Sequence, residues 1–177
     1  MLVPSSSKRR ISLVALGVVF LGVLLNHFSI KNTENGPLLV VDEREFDLIG
    51  DLQNHWTALS SDCSGIQNLG KEEPNYQKVL STVKAYSPPQ SEKAHVQSMW
   101  RFQQWYLVEL EFDDLLPSVV PIRSGNDAMA IESQSVWSGY TLPWKAAPYI
   151  RQYIKGHSPD IPTPLINCFR PQSSSFQ

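Results

Sequence analysis

Two cysteines, a ladder of carboxylates and a set of tryptophans are the groups of this 177-residue chain best equipped to bond, bind or recognise. Cys63 and Cys168 are its two cysteines. On the far side of a membrane an oxidising environment permits a bond between them. Closing a loop of about 100 residues contributes on the order of 4–5 kcal/mol in the chain-entropy picture, so the expected role of the pair is a structural disulfide. No CxxC motif marks either thiol for redox or nucleophilic work.

Glu109, Glu111 and Asp113 stand two residues apart in a segment that alternates with apolar residues. Side chains at i, i+2 and i+4 of a strand project to one side, so three carboxylates there could hold a cation or anchor a polar ligand beside Trp105. The simpler expectation is the solvated face of an antiparallel sheet. A glycosidase pair would need carboxylates facing each other across a cleft, which one strand cannot supply. His55, His95 and His157 lie far from one another and from both cysteines, without the short ligand spacings of a zinc site. GxSxG, HExxH and glycine-rich phosphate loops are absent from the sequence. No catalytic residue, metal ligand or cofactor is therefore expected.

Aromatic residues gather at Trp100, Phe102, Trp105, Tyr106, Trp137, Tyr140 and Trp144. Residues 136–144, VWSGYTLPW, read as an irregular loop dense in rings. Loops of this kind carry binding function, and exposed Trp and Tyr favour interfaces. Trp105, Trp137, Tyr140 and Trp144 are thus the candidate interaction surface. A structural plug between sheet and C-terminal helix accounts for the same rings and is the more economical reading.

These side chains need elements to position them. Asp42-Glu43-Arg44-Glu45 resembles a capping box, followed by Phe46, Ile49, Leu52, Trp56 and Leu59 at three- and four-residue steps. That spacing predicts an amphipathic helix of about 17 residues with those five residues as its apolar face and Asp47, Asp51 and Asn54 on its polar face. Tyr76, Val79, Leu80 and Val83 predict a second helix after Pro74, with a strand over 76–86 as the alternative. The period then falls to 2. Val96, Ser98, Trp100 and Phe102 form one face of a strand, and Tyr106, Val108, Leu110 and Phe112 one face of the next. Residues 119–123 and 129–137 add two segments around the turn formers 124–127, and Pro121 points to an edge strand. Pro148, the stripe Tyr149, Ile150, Tyr153 and Ile154, and Gly156 as C-cap mark a further helix. Thr163-Pro164 opens a short last one. Residues 171–177 read as a flexible tail.

The N-terminus has a different character. Lys8-Arg9-Arg10 precedes residues 11–25, ISLVALGVVFLGVLL, which carry no charge, and residues 26–30 extend the run more weakly. Twenty residues of helix span about 30 Å, the hydrocarbon thickness of a bilayer. No small-x-small cleavage site follows, so an uncleaved signal anchor over 11–30 is favoured above a cleaved signal peptide. The basic residues hold 1–10 in the cytoplasm and send the remainder across. Residues 31–37 read as a linker and 38–170 as an extracytoplasmic domain. The formal net charge of −2 averages two unlike parts. From residue 38 onward eleven Lys and Arg face sixteen Asp and Glu, a net of −5 that argues against a nucleic-acid partner.

The fold class expected is α+β: a transmembrane helix, then one domain with two helices, an antiparallel sheet of three to five strands and short C-terminal helices. Helices on one face of a curved sheet also describe cystatin-like and NTF2-like folds, an analogy of element order alone. Two functions fit. One is a single-pass, non-enzymatic interaction module with a protein partner in the cell envelope. The other is a small-ligand-binding domain or enzyme using the concave sheet face, with Glu109, Glu111 and Asp113 as anchors.

Overall fold

The segment read as a polar linker, residues 31–37, is instead the first hairpin of the structure. A computed structural model describes Leu16, Gly22 and residues 27–126 and 128–176. The chain divides into two units, Met1–Ile49 and Gly50–Gln177. The span expected over 11–30 lies outside the described residues except for Leu16, Gly22 and 27–30. Its C-terminal boundary is corrected, because Phe28, Ser29 and Ile30 are strand rather than helix. Among the described residues no helix is long and apolar enough to cross a membrane.

In the first unit, β1 (Phe28–Thr33), β2 (Gly36–Val41) and β3 (Arg44–Phe46) form an antiparallel meander in that order. Asp42 and Glu43, expected to cap a helix, occupy its second turn with φ of 47° and 68°. A two-residue loop with both φ positive matches the right-handed twist of its strands, and Asp tolerates that region. Arg44 and Phe46 then find backbone partners at Val41 and Leu39. The first helix, α1 (Leu48–Ser60), consequently starts later and is shorter than the periodicity suggested.

The second unit is built on an antiparallel sheet. Its strands are β4 (Gln67–Asn68), β5 (His95–Phe102), β6 (Trp105–Glu111), β7 (Ser118–Ser124), β8 (Met129–Ile131) and β9 (Trp137–Ser138). The order is β4-β5-β6-β7-β8, with β9 also pairing β7. Three more helices, α2 (Pro74–Tyr86), α3 (Ala146–His157) and α4 (Thr163–Cys168), complete the α+β architecture. Residues 76–86 are therefore helix, with Pro74 in the first turn, where a missing N–H costs nothing. Gly156 lies inside α3, and Ser158 is its C-cap.

Both faces of the sheet are covered. On one, Tyr76, Val79 and Val83 of α2 pack with Met99, Tyr106, Val108 and Ile122. On the other, Ile150 and Ile154 of α3 and Leu165 and Ile166 of α4 pack with Trp105, Leu107, Val119 and Trp137. The expected wet face does not exist, and a one-sided cystatin-like or NTF2-like arrangement does not describe the unit. Two local features explain how. A bulge at Gln97 brings Val96 and Met99, three residues apart, to the same side of the sheet, opposite Leu110 and Val108. Pro121 sits in an interior strand because its carbonyl, which accepts from the Glu132 N–H at 3.0 Å, points into the gap between β8 and β9. The N–H and C=O of a strand residue share one side, so the missing donor falls where no strand asks for it.

Candidate interaction surface

Helix α1 presents its faces the opposite way round from the sequence expectation. Gly50, Asp51, Asn54 and Thr57, spaced one helical face apart, are its buried or half-buried positions. Leu48, Ile49, Leu52, Trp56 and Leu59 are exposed, with Leu52 and Trp56 at 71% and Leu59 at 85%.

The reason lies in α3. Arg151 is buried, and its Nε and Nη2 donate to the Phe169 carbonyl at 3.0 and 2.7 Å, closing the C-terminal end of α4. Nη2 also donates to Asn54 Oδ1 at 3.1 Å. Burial, with the positive charge of Arg170 added, lowers Arg151 to about 9, which leaves it protonated at neutral pH. A buried guanidinium without its acceptors costs several kcal/mol, roughly the penalty of an unpaired interior charge. Asp51 adds an ion pair to Lys145 at 3.2 Å. The polar face of α1 is thus turned inward to serve Arg151 and Lys145. The apolar face is left in water.

The aromatic candidates divide. Trp105 and Trp137 are core residues, not surface. Trp137 meets the Phe176 ring edge-on at 5.2 Å, and the Arg123 guanidinium lies 5.4 Å from the centre of the Trp105 ring. Trp144 is half-buried and stacks on Tyr149 at 6.3 Å. Tyr140 is exposed, as is Leu142 beside it. Lys145, which pairs with Asp51, follows this loop directly, so the loop's end meets the start of α1.

The carboxylate ladder is occupied by the chain itself. Glu109 is fully buried and accepts from Ser98 Oγ at 2.7 Å, Gln172 N at 2.9 Å and Ser173 N at 2.7 Å. Trp100 Nε1 donates to the same Ser98 hydroxyl at 3.0 Å. Glu111 accepts from the hydroxyls of Ser173 and Ser175 and from the Gln97 amide. Those hydroxyl donors hold its pKa below the ordinary carboxylate value. Asp113 is exposed, 3.7 Å from His95 Nε2. Residues 171–176, read as part of a flexible tail, are therefore a strap. Thr141 holds the Phe176 carbonyl through both its N–H and its hydroxyl at 2.8 Å, and Phe176 is fully buried. Phe176 after three serines was the available signal, an apolar ring in an otherwise polar stretch. Arg151 gave none, since it reads as one more polar position of α3.

Cys63 and Cys168 are joined, with Cα atoms 5.7 Å apart, and tie the loop after α1 to the end of α4. Among the described residues no group of His, Cys, Asp or Glu is arranged to hold a metal ion. An apolar cleft of about 150 Å³ lies on the opposite side of the sheet, lined by Val83, Leu110, Phe112, Val120 and Ile131. Compared with family models, curated proteins and solved structures, the chain finds no match.

Proposed function

We propose that this chain is a membrane-anchored, extracytoplasmic interaction module without enzymatic activity, and that α1 is the surface by which it meets a protein partner in the cell envelope. The apolar run 11–25 behind a basic triplet supports the anchor and its orientation. The observation that carries the interaction is the exposed stripe Leu52, Trp56 and Leu59. Covering a Leu of that kind contributes about 1.5–3 kcal/mol, so three such side chains on one face are a strong incentive to associate. A helix lying on lipid carries Lys and Arg along its polar face, and α1 has neither, which favours protein over bilayer here. The alternative, a polar ligand on Glu109 and Glu111, competes with the strap that already satisfies both carboxylates.

A photo-crosslinking residue in place of Trp56, activated in intact membranes, tests the reading. A defined protein adduct that disappears in Leu52→Glu/Leu59→Glu supports it. Adducts to lipid alone, or none, refute it. Protease protection of the region after residue 38 tests the orientation separately.

A further inference from the structure

Among the described residues, one face of the first unit's meander is largely exposed. Cross-strand partners share a face, so Phe28 with Val41, Ile30 with Leu39, and Leu39 with Phe46 line one side. Ile30 is 71% exposed, Phe28 and Phe46 are exposed, and Leu39 and Val41 are half-buried. The other side differs: Leu38 is buried there, and Lys31 pairs with Glu45 at 2.6 Å. Five apolar residues on one side of a small three-stranded sheet form a patch of the kind that marks an interaction surface.

What covers it follows from where the sheet begins. Only Asn26 and His27 separate the last residue of the apolar run 11–25 from β1. With that run in a bilayer, two residues allow Phe28 no more than about 10 Å of travel from its end. The patch is then held at the membrane surface by covalent connection. Arg44, opposite Val41 at the anchor end of the sheet, shares the apolar face and offers a long cationic side chain to a phosphate.

We infer that this meander lies face-down on the bilayer, with Phe28, Ile30, Leu39, Val41 and Phe46 at the boundary between headgroups and acyl chains. The inference rests on the anchor reading above. The outer edge of β1 keeps it from going deeper, since unpaired backbone groups are not tolerated in hydrocarbon. The net charge of −5 beyond residue 37 makes the attraction apolar rather than electrostatic, so a zwitterionic surface suffices.

The test uses the full chain with its disulfide oxidised, reconstituted in phosphatidylcholine vesicles. Ile30→Cys and Ser29→Cys, on opposite faces, are labelled in turn with an environment-sensitive fluorophore. The Ile30 label is expected to shift to the blue and to be quenched several-fold more than the Ser29 label by nitroxide-bearing phosphatidylcholine. Equal, water-like emission at both sites overturns the inference. So does a shielded Ile30 label that lipid nitroxide fails to quench, which would mean a second copy or another protein covers the face. Carbonate extraction separates the two readings. Release from the vesicles refutes the anchor and the docking with it, whereas retention with a water-exposed Ile30 refutes the docking alone.

Discussion

Replacing Glu109 by Gln removes one charge from a site where nothing else changes shape. The carboxylate accepts from three donors: the Ser98 hydroxyl and the backbone N–H groups of Gln172 and Ser173. A Gln oxygen at the Oε1 position can keep both N–H groups, and its NH2 would then face the Ser98 hydroxyl, which already accepts from Trp100 Nε1 and would lose its own acceptor. Losing charge assistance costs roughly 1 kcal/mol for each of the two bonds that survive, and leaving the buried Ser98 hydroxyl without its acceptor costs about 1–3 kcal/mol. The expected loss is about 3–5 kcal/mol, a large share of the stability of a domain this size. Chemical denaturation reads it as a lower midpoint at unchanged slope, and amide exchange reads it as lost protection at Gln172 and Ser173. Truncation after Arg170 removes the same donors, so the double variant should cost clearly less than the sum of the two single changes. An unchanged midpoint with both amides still protected would refute the strap as the partner of Glu109. Additive losses would do the same.

The hold of Glu111 on the strap should depend on acidity. Its folded pKa is lowered by the Ser173 and Ser175 hydroxyls, so its contribution is complete above the ordinary value of 4.5 and is lost as pH falls through the lower folded value. Proteolysis of residues 171–176 should accelerate over that acid window, and Glu111→Gln should flatten the dependence. Reducing the Cys63–Cys168 bond, whose partners are 105 residues apart, should cost about 4–5 kcal/mol, measured as the denaturation midpoint with and without reductant. Leu59→Ala on the exposed stripe should change stability by less than about 0.5 kcal/mol, whereas Ile150→Ala in the core should cost about 2–5 kcal/mol. Equal losses at the two positions would mean that the stripe is packed rather than open.

Much of the fold was legible in the residues, for local reasons. Helix α2 is announced by Pro74 and by Tyr76, Val79 and Val83 on one stripe, all within one element's length. Strands β5 and β6 are announced by a period of 2, and the cysteine pairing follows from there being only two. What stayed hidden depends on residues distant in the chain. The alternation of β6 is the same whether Glu109 meets water or the strap, and the donors that decide it lie 63 and 64 residues away. The stripe of α1 was visible as a stripe, but its direction was not. A hydrophobic period says which residues share a face; which face is buried depends on what the rest of the domain needs. Here Arg151, 97 residues from Asn54, requires an acceptor, and that need turns the polar face inward. Helix α2, strands β5 and β6 and the cysteine pair were readable along the chain because they are short-range or combinatorial facts, whereas the meander over residues 28–46 was not. That the carboxylate ladder is a clasp, and that the apolar stripe of α1 faces outward, follows from tertiary contacts, because a buried charge is satisfied by whatever the fold brings beside it.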